Sequence, residues 1–65
     1  MAKPTAEFED VECIAETTDA ILVVVEGKEH WIPKNQVNED SEVYEKGGEG
    51  TLIVTQWIAE KEGLV

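Results

Sequence analysis

His30-Trp31-Ile32-Pro33-Lys34-Asn35-Gln36-Val37 reads as a strand end that runs into a proline and then a short polar turn. Pro33 has no N–H to give to a ladder, so the strand it closes stops there or lies at a sheet edge. The four residues that follow are too few for an α-helix and suit one turn of tight helix, after which Val37 folds back into the core. If Ile32 is the core residue of this strand, Trp31 lies outside, near Lys34 and Gln36.

The residues before this corner build a hairpin that leads into it. Val11-Glu12-Cys13-Ile14-Ala15 is close to period two and reads as a first strand with one covered and one wet face. Ile14 points outward with Glu12 and Glu16, so part of the outer face is expected to be covered. Thr17-Thr18-Asp19 is a polar turn. Ala20-Ile21-Leu22-Val23-Val24-Val25 is apolar throughout and β-branched, the pattern of a central strand buried on both sides. Gly27 supplies the positive φ of a tight turn, so Glu29 to Ile32 returns antiparallel.

After the corner, Asn38 to Ser41 reads as a loop and Glu42-Val43-Tyr44-Glu45 as a short fourth strand, Val43 inward and Tyr44 outward. Lys46-Gly47-Gly48-Glu49-Gly50 is a flexible loop and Thr51-Leu52-Ile53-Val54 a fifth strand. Thr55 is placed to cap a helix from Gln56 to Glu62 that ends at Gly63. Trp57 and Ile58 are expected to plug the open end of the sheet.

These elements predict a mainly β fold, a small strongly bent antiparallel sheet or SH3-like partly open barrel of about five strands with a short C-terminal helix. The SH3-like arrangement is preferred to an OB-like one because the connections after the second strand are short and the tight turn precedes the last strands. Residues 1–6, with Pro4 and little apolar content, read as a flexible tail, and residues 7–65 as one domain.

The chain has 65 residues, a length at which a domain buries only about 60% of the surface its unfolded chain exposes. Cys13 is the only cysteine, which excludes an intrachain disulfide and a cysteine-based zinc site built from one chain. Self-association is the remaining reinforcement, so a homo-oligomer is expected. Acidic residues outnumber lysines 15 to 5 and there is no arginine, for a net charge of -10. That balance disfavours direct nucleic-acid binding and anionic membranes. It suits a basic partner, including a protein surface that otherwise holds DNA or RNA. No stretch approaches the ~20 apolar residues of a membrane span, and no apolar run follows Lys3 as in a signal peptide, so a cytosolic protein is expected.

No motif carries chemistry. Cys13 and His30 are the only candidates for a thiol–imidazole pair, and Cys13 sits in an apolar strand where cysteine is usually a small buried hydrophobe. The Glu39-Asp40-Ser41-Glu42 run lacks the alternating ligands and central glycine of a calcium loop. The glycine-rich loop lacks the Gly-Lys-Ser/Thr end of a P-loop and precedes a strand. The reading is therefore non-enzymatic, with no cofactor. An outward Trp31 beside a proline and a lysine fits either a partner surface or a face covered by a second subunit. Partner contacts are expected at Trp31, Lys34, Gln36, Glu39, Asp40, Glu42, Tyr44 and Glu45. A small-molecule site is the alternative, with Trp31 stacking on a nucleotide base, Lys34 meeting phosphate and Gln36 reading an edge.

Ala20-Ile21-Leu22-Val23, Trp31 through Val37, Ser41-Glu42-Val43 and Trp57 through Leu64 together resemble short acidic proteins encoded by bacteriophages and prophages. The resemblance covers most of the chain from about Val11 onward and carries no catalytic motif. It implies a phage context, in which small accessory proteins frequently block host defences by binding. The expected function is a counter-defence inhibitor that covers a basic, nucleic-acid-binding surface of a host protein.

Overall fold

The computed structural model describes residues 4–64. Within them lie four strands, β1 (Thr5–Glu16), β2 (Ala20–Val25), β3 (Lys28–Pro33) and β4 (Glu49–Thr55). A 3-10 turn, η1 (Lys34–Gln36), follows β3, and a short helix, α1 (Gln56–Lys61), follows β4. All strand pairings are antiparallel, in the order β3-β2-β1-β4. Among the described residues no helix is long and apolar enough to cross a membrane.

Strand β1 begins at Thr5, which pairs with Thr55, while Ala6 pairs with Val54. The expected tail is thus ladder from Thr5 onward, and its first three residues lie outside the described ones. The strand bends twice. Asp10 takes a positive φ of 56°, so Phe8 and Val11 both face inward although three positions apart. Ile14 is the extra residue of a second irregularity between Cys13 and Ala15, and it stands 37% exposed. Such bulges add local twist and let one long strand pair with β2 at one end and β4 at the other.

The β2–β3 hairpin closes through Glu26 and Gly27, both at positive φ (51° and 80°). Two such residues make the turn whose twist matches that of the flanking strands. Val25 then faces Lys28, and the register runs without a break to Ala20 opposite Pro33. Ile21, Val23 and Val25 are buried, and Ala20, Leu22 and Val24 on the other face are only half covered.

Val37 forms a bridge with Val54 on the outer edge of β4, at the opposite end of the sheet from β3. In a flat sheet four lateral steps of about 4.8 Å would hold Val37 about 19 Å from β3. The four steps along the chain from Pro33 to Val37 span at most about 14 Å when fully extended, and the three residues between these ends are coiled in η1. The sheet must therefore curl. Its concave face holds a core of Val11, Cys13, Ile21, Val23, Val25, Ile32, Val43, Leu52, Val54, Ile58 and Ala59.

Two expectations fail here. Residues 42–45 form no strand, so the sheet has four strands among the described residues where about five were expected. The plug is Ile58 with Ala59, and Trp57 is 59% exposed, its ring 5.0 Å from Lys61 Nζ. The Thr55 hydroxyl accepts the Ile58 N–H and sets the phase of the helix, which turns positions 58 and 59 toward the sheet and position 57 to solvent.

Candidate functional site at the β3–η1 corner

The segment after η1 is a strap laid along the outer edge of β4. It covers the edge without becoming a strand because side chains take the ladder positions. Asn38 N–H donates to the Ile53 carbonyl (2.8 Å) and Glu42 N–H to the Thr51 carbonyl (2.9 Å). In return the Ile53 N–H donates to Ser41 Oγ (3.1 Å) and the Thr51 N–H to Glu42 Oε1 (2.9 Å). An edge whose N–H groups already have acceptors needs no fifth strand.

Ser41 is the hub of the strap. Its buried hydroxyl donates to the Val43 carbonyl (2.8 Å) and also accepts the Val43 N–H (3.2 Å). Asn38 Oδ1 accepts the Asp40 N–H (2.8 Å) and tightens the preceding turn. Val43 is fully buried, so Tyr44 next to it is driven outward and stands 57% exposed. Val43 thus points inward and Tyr44 outward as the sequence pattern requires, on an irregular backbone.

Lys34, Val37, Asn38, Glu39 and Tyr44 line an open cleft of about 410 Å³. Three expected contact residues, Lys34, Glu39 and Tyr44, therefore meet on one surface. Asp40 and Glu45 are exposed on the same strap. Glu42 is instead bonded to the Thr51 amide, and Gln36 points elsewhere. Gln36 Oε1 accepts the Thr55 hydroxyl (2.6 Å), and Gln36 lines a separate cleft with Pro4, Thr55 and Trp57. Trp31, 47% exposed, lies on the convex face in a row with Leu22 and Ala15. The stacking, phosphate and edge-reading roles of a nucleotide site would thus fall on three different surfaces.

Lys34 Nζ reaches Glu16 Oε2 at 2.6 Å, while Glu16 Oε1 accepts the Lys46 N–H at 3.3 Å. Glu16 so ties the β3–η1 corner to the end of the strap, a role that no local pattern in the sequence indicates. The hydrogen bond from Lys34, then that from the Lys46 amide, holds the Glu16 carboxyl below its ordinary range. A lowered carboxylate pKa contributes stability above the unfolded value, lost as pH falls through the folded one. The Glu16 carboxyl carbon, followed by NMR, is expected to titrate below the ordinary glutamate value. The Lys34→Ala variant should bring its midpoint up toward that value, and an unchanged midpoint would remove Lys34 as the cause.

Cys13 and His30 do not form a pair. Each is registered with Val23 from opposite sides, so β2 separates them by about two strand spacings, roughly 10 Å. The Cys13 thiol is buried, which raises its pKa, and it donates to the Ala15 carbonyl at 3.2 Å. His30 Nδ1 lies 3.7 Å from Glu62 Oε1. Among the described residues no group of three or more His, Cys, Asp or Glu side chains is placed to hold a metal ion. Compared with known proteins, the chain matches no family model, no curated protein and no solved structure.

Proposed function

We propose that the chain is a small, non-enzymatic acidic binding protein of phage type. It acts in the host cytosol as a counter-defence inhibitor, covering a basic, nucleic-acid-binding surface of a host protein. The observation that carries this reading is the strap. Glu39, Asp40 and Glu45 stand exposed around an exposed Tyr44 on a backbone fixed by Ser41 and by the bonds to β4. Side chains carried on a fixed backbone lose less freedom on binding than those on a loose loop, and an exposed aromatic among them supplies apolar contact. The net charge of -10 adds long-range attraction to a cationic surface. The curled sheet is read as SH3-like, because the 3-10 turn precedes the last strand and that strand pairs with the first.

The test begins with capture of the target from host extract and its identification by mass spectrometry. Competition with nucleic acid for the purified target follows. The chain is expected to displace nucleic acid, and binding is expected to weaken about tenfold or more when Glu39, Asp40 and Glu45 are changed to lysine. Raising salt from low to physiological strength should act in the same direction. Binding indifferent to both salt and charge reversal would sink this reading.

A further inference from the structure

We propose that two copies of the chain pair antiparallel through the free edges of their β3 strands, with Trp31 facing Trp31 of the second copy across a two-fold axis. The partner reading above places the target on the strap; this contact lies on a different element and stands independently of it.

Strand β3 ends the sheet, and among the described residues nothing pairs with its outer side. The phase of the hairpin decides which backbone groups point that way. The two-residue turn makes Val25 and Lys28 a mutually bonded pair, and bonded and non-bonded pairs alternate from there. By that count Glu29, Trp31 and Pro33 are not bonded to β2, while position 34 is bonded to position 19. The Lys34 N–H indeed donates to the Asp19 carbonyl at 2.8 Å, which fixes the phase independently. The backbone groups of Glu29 and Trp31, and the carbonyl of Pro33, therefore face outward.

This edge is complementary to itself. With the axis at Trp31, each Trp31 N–H donates to the Trp31 carbonyl of the other copy, and each Glu29 N–H donates to the other copy's Pro33 carbonyl. Pro33 lacks an N–H, so the proline leaves only the Glu29 carbonyl without a donor, at the rim where water reaches it. Side by side on the convex face, the two indoles cover one another and extend the row of Leu22 and Ala15. Shifting the axis to Glu29 would set two carboxylates face to face instead. Charge along the strand does not oppose this edge. Residues 28–34 hold two lysines and one glutamate, and Lys34 is paired with Glu16, so the strand itself adds little to the self-repulsion of an acidic chain.

The experiment is sedimentation of the full chain over a wide concentration range, together with amide hydrogen exchange. The expected result is a species of twice the chain mass, with the Glu29 and Trp31 amides protected although neither bonds within the chain. Trp31→Lys should weaken the dimer about 100-fold or more and leave the circular dichroism unchanged. The exchange measurement needs no variant and decides the question even where Trp31→Lys folds poorly. A single-copy mass at all concentrations, or a dimer whose Glu29 and Trp31 amides exchange freely, would overturn the proposal. So would protection that arises only when another protein is added, which assigns the edge to a foreign strand. Charge reversal at Glu39, Asp40 and Glu45 should leave the dimer mass unchanged, so failure of the strap as a binding surface and failure of this interface are separable.

Discussion

Ser41→Ala is expected to destabilise the fold by about 2–4 kcal/mol, although it removes a single oxygen. Two N–H groups, of Val43 and Ile53, donate to that oxygen, and the hydroxyl itself donates to the Val43 carbonyl. Ser41 is buried. Removing one partner of a buried hydrogen bond leaves the other unsatisfied at about 1–3 kcal/mol each, which exceeds the net worth of the bond. In a domain of this size about 1 kcal/mol shifts the melting temperature by about 4–8 °C, so a fall of about 8 °C or more should be seen. Glu45→Ala, a change at an exposed position of the same strap, should stay within about 0.5 kcal/mol. The Ile53 amide should also exchange faster in Ser41→Ala. A variant that melts with the parent protein would show that water replaces the hydroxyl and that the strap is held by other means.

The strap also marks where the sequence stops being informative. Regular elements are legible because their signals are local. Alternation marks β1, the apolar run marks β2, Gly27 marks the hairpin and Thr55 the helix start. Even within these, Glu26 at positive φ carries no residue signature, since glutamate is not a usual turn former there. Residues 42–45 show the correct parity of inward Val43 and outward Tyr44. Parity, however, says nothing about whether the ladder is completed by backbone or by side chains, and here Ser41 and Glu42 complete it.

Helix α1 shows the same limit in another form. The size of the indole favours Trp57 as the buried plug, but a six-residue helix has its phase set by its cap, and the Thr55–Ile58 bond gives the inward positions to Ile58 and Ala59. The candidate site is legible in part for a related reason. Lys34, Glu39 and Tyr44 meet because η1 and the strap are short and continuous in sequence. Glu16 joins Lys34 from 18 positions away, and the register of β1 on β2 and of β2 on β3 brings them to the same end of the sheet.

Gly50→Ala is expected to cost about 2–4 kcal/mol and to disturb the strap from the β4 side. Gly50 sits at φ +130°, where a side chain is strained by about 1–3 kcal/mol. An added Cβ would also lie 2.8 Å from Glu42 Oε1, the atom that accepts the Thr51 N–H. The carboxylate has to move, and the Thr51 amide then loses its acceptor. Gly47→Ala is the control, because Gly47 also has positive φ (+91°) but open space around it, and it should show the backbone strain without the displacement. The two contributions separate in a cycle with Glu42→Ala. Once the carboxylate is gone the added methyl has nothing to displace, so the double variant should cost less than the sum of the two single ones. Strict additivity would mean that Glu42 is not what Gly50 accommodates. If the strap positions the binding surface, Gly50→Ala should also weaken target binding at temperatures where the variant is fully folded, because Glu42 lies two residues from Tyr44. Gly47→Ala should leave that binding intact, a contrast that stability loss alone does not produce.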